Sequence, residues 1–175
     1  FNECTRTIVD QVELLKNLVN AFSQYAKMPA TNPAPNDLNE VINDPFILFQ
    51  DAHKDINFTF KRERDMPKIN IDAEKLNRVM VNLLDNAVAA IDSKEGRIEI
   101  CSYYDKEGKK LNVEEAYNGC GVPPRYKMKI FEPYFSTKKM GTGLGLAIVS
   151  SIISDHHGQV SVKDNLPRGT VVTIE

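Results

Sequence analysis

The chain has 175 residues, 42% of them apolar, which suits one compact domain with a short appendage. Its net charge of -2 and pI near 6.0 give no global electrostatic reason to expect nucleic-acid or membrane binding. No apolar run approaches the roughly 18 residues of a membrane span, and no secretory h-region stands out. Cys4, Cys101 and Cys120 are odd in number and far apart, so a disulfide framework or cysteine metal site is not expected and a reducing, cytoplasmic setting is. The start at Phe1 and the stop in a strand-like run suggest a fragment of a longer protein, whose membrane anchoring is left open.

Between residues 3 and 27, Ile8, Val12, Leu15, Val19, Phe22 and Ala26 alternate spacings of four and three, the a/d seam of a helix that packs on another helix. Met28-Pro29 ends it, and Pro33, Pro35 and Asn36 continue an extended linker. Asp37 is the expected N-cap of a helix over about 38–53, with Leu38, Val41, Ile42 and Phe46 as its apolar face and Pro45 expected to distort or divide it. Residues 56–60 alternate as a strand, and 69–71 read as a short second one. Asp72 caps a long helix over about 73–92 that buries Leu76, Val79, Met80, Leu83, Leu84, Ala87 and Ile91, with Gly96 as its breaker. A hairpin then pairs 97–103 with 111–115, and 117–142 read as loop-rich and mobile. A helix over 143–157 and strands over 159–163 and 169–174 complete an α+β sandwich, a mixed sheet under helices.

Three stretches carry chemistry. Asn82 and Asn86 lie four apart, hence on one face of a core-forming helix, and an amide oxygen is a hard ligand suited to Mg²⁺; two solvent-facing asparagines would give the same spacing. Gly141, Gly143 and Gly145 alternate with Thr142 and Leu144 directly before an apolar helix. That leaves backbone N–H groups open at a helix N-terminus, a geometry that attracts phosphate, although a flexible hinge fits too. Phe131 and Phe135 can dock a loop on the core, from which Lys138 and Lys139 could reach phosphate oxygens.

In this order the pieces resemble the Bergerat-type ATP-binding domain shared by histidine kinases, gyrase, Hsp90 and MutL, over about 37–175. NLLDNA (82–87) looks like the N box, NGCGVP (118–123) the first glycine box, FEPYFSTK (131–138) the F box and GTGLGLAIV (141–149) the second glycine box. NLPRGT (165–170) is similar to the third. The F box and the GTGLGL form resemble sensor histidine kinases. Where gyrase-like ATPases carry a water-activating glutamate, this chain has Asn82, which fits phosphoryl transfer to an amino-acid acceptor better than hydrolysis. Residues 3–29 further resemble the second dimerisation helix of nitrogen-regulation sensor kinases of the NtrY/NtrB type.

The resemblance implies a division into a partial dimerisation helix (1–28), a linker (29–36) and a catalytic ATP-binding domain (37–175). It implies ATP and Mg²⁺ as cofactors, with Asn86 supplying the metal oxygen and Asn82 beside it. Gly119 and Gly121 would pass close to the adenine. Gly141, Thr142, Gly143 and Gly145 would cradle the phosphates, with Leu144 and Leu146 packing beneath. Lys138 would pair with the terminal phosphates, and Thr170 would floor the base pocket. The partners implied are a response regulator and a second copy of the chain through the N-terminal helix. The histidine that accepts the phosphoryl group belongs on a first dimerisation helix that this chain does not contain. His53, His156 and His157 do not replace it, and the last two are expected to complement a helix dipole as cations.

One position departs from the family. The strand over 111–115 should point Leu111, Val113, a third apolar residue and then the adenine-binding aspartate inward. Here the last two are Glu115 and Tyr117. Weakened or absent ATP binding is the expectation, with stacking of the Tyr117 ring on the base as the alternative. A degenerate docking module and an ATPase of the same fold are the rival functions.

Overall fold

The computed structural model describes residues 5–9, 11, 12, 15, 16, 19, 23, 30–93, 95–138 and 141–175. Phe22, Ala26, the expected helix end at Met28-Pro29, Cys4 and Lys139 lie outside the described residues. Every described residue before Ala30 is helical, and Ile8, Val12, Leu15 and Val19 are each more than half exposed. The described part of the seam is therefore largely open to solvent.

From Ala34 onward the elements follow the sequence pattern. Strand β1 (Ala34–Asn36) pairs antiparallel with β3 (Ile69–Ile71), and between them lie helix α1 (Leu38–Ala52) and strand β2 (Ile56–Arg62). Asp37 caps α1 as expected, its carboxylate accepting from Asn39 N–H at 2.8 Å. Pro45 sits inside α1 without dividing it. A mid-helix proline costs roughly 3 kcal/mol. Ile42, Phe46 and Phe49 are buried on the same face, each contributing about 1.5–3 kcal/mol, and together they outweigh that loss.

Helix α2 (Ala73–Ala90) buries Leu76, Val79, Met80, Leu83, Leu84 and Ala87 as its periodicity requires. It ends before Ile91, which is half-buried as the C-cap, whereas Gly96 opens the next strand. Strands β4 (Gly96–Asp105) and β5 (Lys110–Tyr117) form the hairpin. Helix α3 (Gly145–Asp155) follows two short 3-10 turns, and β6 (Val160–Asp164) and β7 (Thr170–Ile174) close the fold. The five-stranded sheet runs β2-β4-β5-β7-β6, parallel only at β2–β4, so it is mixed. Its inner face carries two aligned rows, Phe60–Ile100–Glu115–Val172–Val162 and Phe58–Ile98–Tyr117–Thr170–Asp164. The helices cover this face with one apolar core.

The chain entering the domain is tied down at the start of α2. Asp72 accepts from Lys75 N–H at 3.1 Å and from Asn32 N–H at 2.9 Å, while Lys75 Nζ donates to Thr31 Oγ1 at 2.7 Å. Burial works to raise the Asp72 pKa, but the two backbone donors and the Lys75 charge outweigh it and hold it below the usual carboxylate value. His156 does not serve as the expected cation. Its Nδ1 faces the Ile152 carbonyl at 2.7 Å, which can only accept, so Nε2 is left to accept the Asp72 N–H at 3.0 Å. Asp72→Ala is expected to lower stability by about 1–2 kcal/mol, with Asp72→Asn recovering most of it. Urea denaturation checks this, and an unchanged midpoint in the alanine variant would show that the cap is idle.

Candidate nucleotide site

The asparagine face of α2 meets the glycine turn before α3. A methyl group added to Gly145 would lie 3.0 Å from Asn82 Oδ1 and 3.8 Å from Asn86 Nδ2, so the N-terminus of α3 sits closely against both amides. Asn82 Nδ2 is held by the Arg78 carbonyl at 2.8 Å, which turns its Oδ1 toward that turn. Leu144 is buried beneath, its N–H donating to Thr142 Oγ1 at 3.4 Å, and Leu146 packs partly against the core. Gly143 has φ +67°, and a side chain there would press to 2.5 Å on the backbone of Tyr134, whose N–H donates to Gly143 O at 2.9 Å. The F-box and glycine-turn motifs are thus fastened to each other through their backbones.

Lys138 closes the group from the other side, its Nζ donating to Asn86 Oδ1 at 3.1 Å. The residue is exposed, yet its ammonium is desolvated enough to lower its pKa, against the pull of Asp85. Asn86 Oδ1 therefore already faces a cationic group, the behaviour required of a metal-ligating oxygen. Among the described residues no cluster of His, Cys, Asp or Glu could hold a metal on its own. A cation at Asn86 would need further ligands from the phosphates it accompanies.

The base end of the site is built by β5 and β7. Gly119 packs on the end of α2, where a side chain would meet Ala90 O at 2.5 Å, and Cys120 N–H donates to the same carbonyl at 2.9 Å. Gly121 (φ +77°) faces Gly169, and Asn165 Nδ2 donates to Tyr117 O at 3.2 Å. Tyr117 is only 6% exposed, and burial pushes its hydroxyl up to about 12. Thr170 lies opposite on β7, near enough to oppose that rise, but no hydrogen bond of ordinary geometry joins the two and Thr170 Oγ1 is left without a partner. Glu115, one inward step back along β5, is 1% exposed with neither oxygen hydrogen-bonded, and burial raises its pKa to about 8. Surface depressions of about 610 and 820 Å³ lie elsewhere, beside Lys54 and Arg97 and beside Asp37 and Glu63, and neither is lined by Tyr117 or Thr170. The tyrosine ring occupies its own part of the site.

The fold thus brings Asn82, Asn86, Lys138 and Gly145 together at one end, and Tyr117, Gly119, Gly121 and Thr170 at the other. Glu115 stood out in the sequence only as a break in an apolar alternation. Its isolation from every hydrogen-bond partner emerges from the packing.

Residues 71–175 match the family described as "Histidine kinase-, DNA gyrase B-, and HSP90-like ATPase". Nitrogen regulation protein NtrY of Azorhizobium caulinodans is 32% identical over 170 residues, 94% of this chain and 22% of that protein. The catalytic domain of histidine kinase ThkA, in a nucleotide-free form, matches with a TM-score of 0.73 at 31% identity, covering 82% of this chain and 93% of the other. ThkA in complex with response regulator protein TrrA matches at 27% identity with a TM-score of 0.78, over 96% of this chain and 48% of that one. Full-length ShkA in complex with AMPPNP does so at 26%, also with a TM-score of 0.78, over 98% and 37%. The chain spans less than half the length of the curated relatives it matches first.

Proposed function

Since the chain belongs to the family of histidine kinase-, DNA gyrase B- and HSP90-like ATPases, as an ATP-binding catalytic domain of the sensor-histidine-kinase kind, we propose that it binds Mg-ATP and presents the γ-phosphate to a histidine on a dimerisation helix outside this chain. The observation that supports this best is the convergence of Asn86 Oδ1, Lys138 Nζ and the Gly145 turn on one point. Asn86 would ligate Mg²⁺, which when bound neutralises charge on the phosphates. The α3 N-terminus would offer N–H groups to phosphate oxygens. Lys138 would leave Asn86 for the terminal phosphate, its pKa already lowered by partial desolvation. Asn82 would orient the site and, having no basic group, would not activate water. The contribution to rate is positioning and charge stabilisation.

The seam of Ile8, Val12, Leu15 and Val19 is proposed to pair with a helix of a second copy, residues 1–28 being part of the dimerisation element, 29–36 the linker and 37–175 the catalytic domain. A response regulator is the proposed downstream partner, by analogy with the ThkA complex. Among the described residues no helix is long and apolar enough to cross a membrane; a cytoplasmic domain of an NtrY-like nitrogen-regulation kinase is the reading we favour. The burial of Tyr117 supports a second reading, a docking module that has lost its nucleotide. Titration with Mg-ATP separates the two.

Asn86→Ala is expected to weaken Mg-ATP binding at least tenfold while leaving EDTA-ATP binding and the melting temperature close to wild type. Equal loss with and without Mg²⁺ would refute a metal role.

A further inference from the structure

We propose that Lys75 is a positioning residue that clamps the linker, at Thr31, to the end of α3, so that filling the nucleotide site is registered where the chain enters the catalytic domain. This coupling rests on the nucleotide-site reading above.

Helices α2 and α3 are pinned to each other at two places. At one, Gly145, the first residue of α3, sits on Asn82 and Asn86 of α2. At the other, Asp72, the N-cap of α2, donates its N–H to Nε2 of His156, the C-cap of α3, at 3.0 Å. Each helix spans about 15 Å between the two pins. The pair is therefore antiparallel, with the nucleotide site at one pin and the linker at the other.

The linker joins that second pin through Lys75, which is 8% exposed. Its Nζ donates to Thr31 Oγ1 at 2.7 Å and lies 3.5 Å from Asp155 Oδ2, to which the Thr31 hydroxyl donates at 3.4 Å. The next residue, Asn32, donates its N–H to the Asp72 carboxylate. Beyond it, β1 and β3 form a two-stranded ribbon outside the five-stranded sheet, and such a ribbon is marginal by itself. The polar cluster thus decides how firmly the entering chain is fixed. Stability alone does not call for a lysine here. An apolar side chain of similar length commonly replaces a buried cation at little cost, and the Asp155 it would leave behind is half exposed. What the ammonium adds is a single linker geometry, because it ties one linker hydroxyl to one carboxylate on α3. Phosphates and metal held between Asn86 and the Gly145 turn would bridge α2 to α3. A helix pair held more firmly at that end keeps Asp72, Lys75 and Asp155 in register at the other.

The test is backbone hydrogen exchange at Asn32, read by NMR with and without saturating Mg-ATP, in wild type, Thr31→Val, Thr31→Ser and Lys75→Met. Thermal melting and a Mg-ATP titration accompany each protein. In wild type, Mg-ATP should slow Asn32 exchange by about threefold or more. Without nucleotide, exchange should be about fivefold faster or more in Thr31→Val and Lys75→Met, and should no longer respond to Mg-ATP. Both should melt within about 3 °C of wild type, and Thr31→Ser, which keeps the hydroxyl, should behave as wild type. Thr31→Val, at a partly exposed linker position, carries the test if Lys75→Met does not fold. Faster exchange throughout the domain with a lowered melting temperature in Thr31→Val would reveal a merely structural contact and overturn the clamp. Wild-type Asn32 exchange that stays unchanged while the titration shows binding overturns the coupling and leaves the nucleotide site standing. Failure of wild type to bind Mg-ATP overturns the site itself, and the coupling with it.

Discussion

Replacing Glu115 by leucine is expected to stabilise the domain, by about 1–3 kcal/mol at pH 5 and by several kcal/mol more at pH 9. At pH 5 the gain comes from removing a buried carboxyl group whose oxygens have no partners. The pH dependence follows from linkage. Glu115 has an ordinary value of 4.5 when unfolded and about 8 when folded. Between those values the native state holds a proton that the unfolded chain has released, so stability falls as pH rises and levels off above the folded value. At about 1.4 kcal/mol per pH unit, the interval corresponds to on the order of 5 kcal/mol. Urea denaturation of wild type and variant at pH 5, 7 and 9 checks this, and parallel pH profiles would contradict it.

Tyr117→Asp is expected to tighten Mg-ATP binding by about one to two decades, the worth of a buried charge-assisted hydrogen bond of roughly 1.5–3 kcal/mol. The aspartate would sit opposite Thr170, whose hydroxyl is unpartnered, and removing the ring would open the space it now fills. The same substitution should lower the stability of the nucleotide-free protein by a few kcal/mol, since Tyr117 belongs to the apolar core. Saturating ATP should then restore part of the lost melting temperature. Calorimetric titration reads the affinity and thermal melting the stability. Unchanged affinity would mean that the ring is not what limits access to the base pocket.

Much of this fold was legible along the chain because the information is local. The 3.6-residue rhythm of Leu76 to Ala87 can be buried only as a helix, and Asp37 and Asp72 cap helices through bonds to residues two and three positions away. The inward alternation of Val113, Glu115 and Tyr117 follows from the pleat. Pro45 misled because the cost of a proline is local, while the compensating burial of Phe46 and Phe49 depends on the core they enter. His156 misled similarly, since the N–H that settles its role belongs to Asp72, 84 residues away.

For the site, the sequence by itself determined which side chains and glycines were present and which helix face or strand face each would occupy. Only the tertiary structure decided that Gly145 meets Asn82, that Lys138 reaches Asn86 across 52 residues, and that Thr170 faces Tyr117 through the β5–β7 register. It also decided that Glu115 lies out of water with no partner. Periodicity is a property of the backbone over a few residues. Desolvation and the pairing of polar groups depend on everything packed around them, and those neighbours come from elements far apart in the chain.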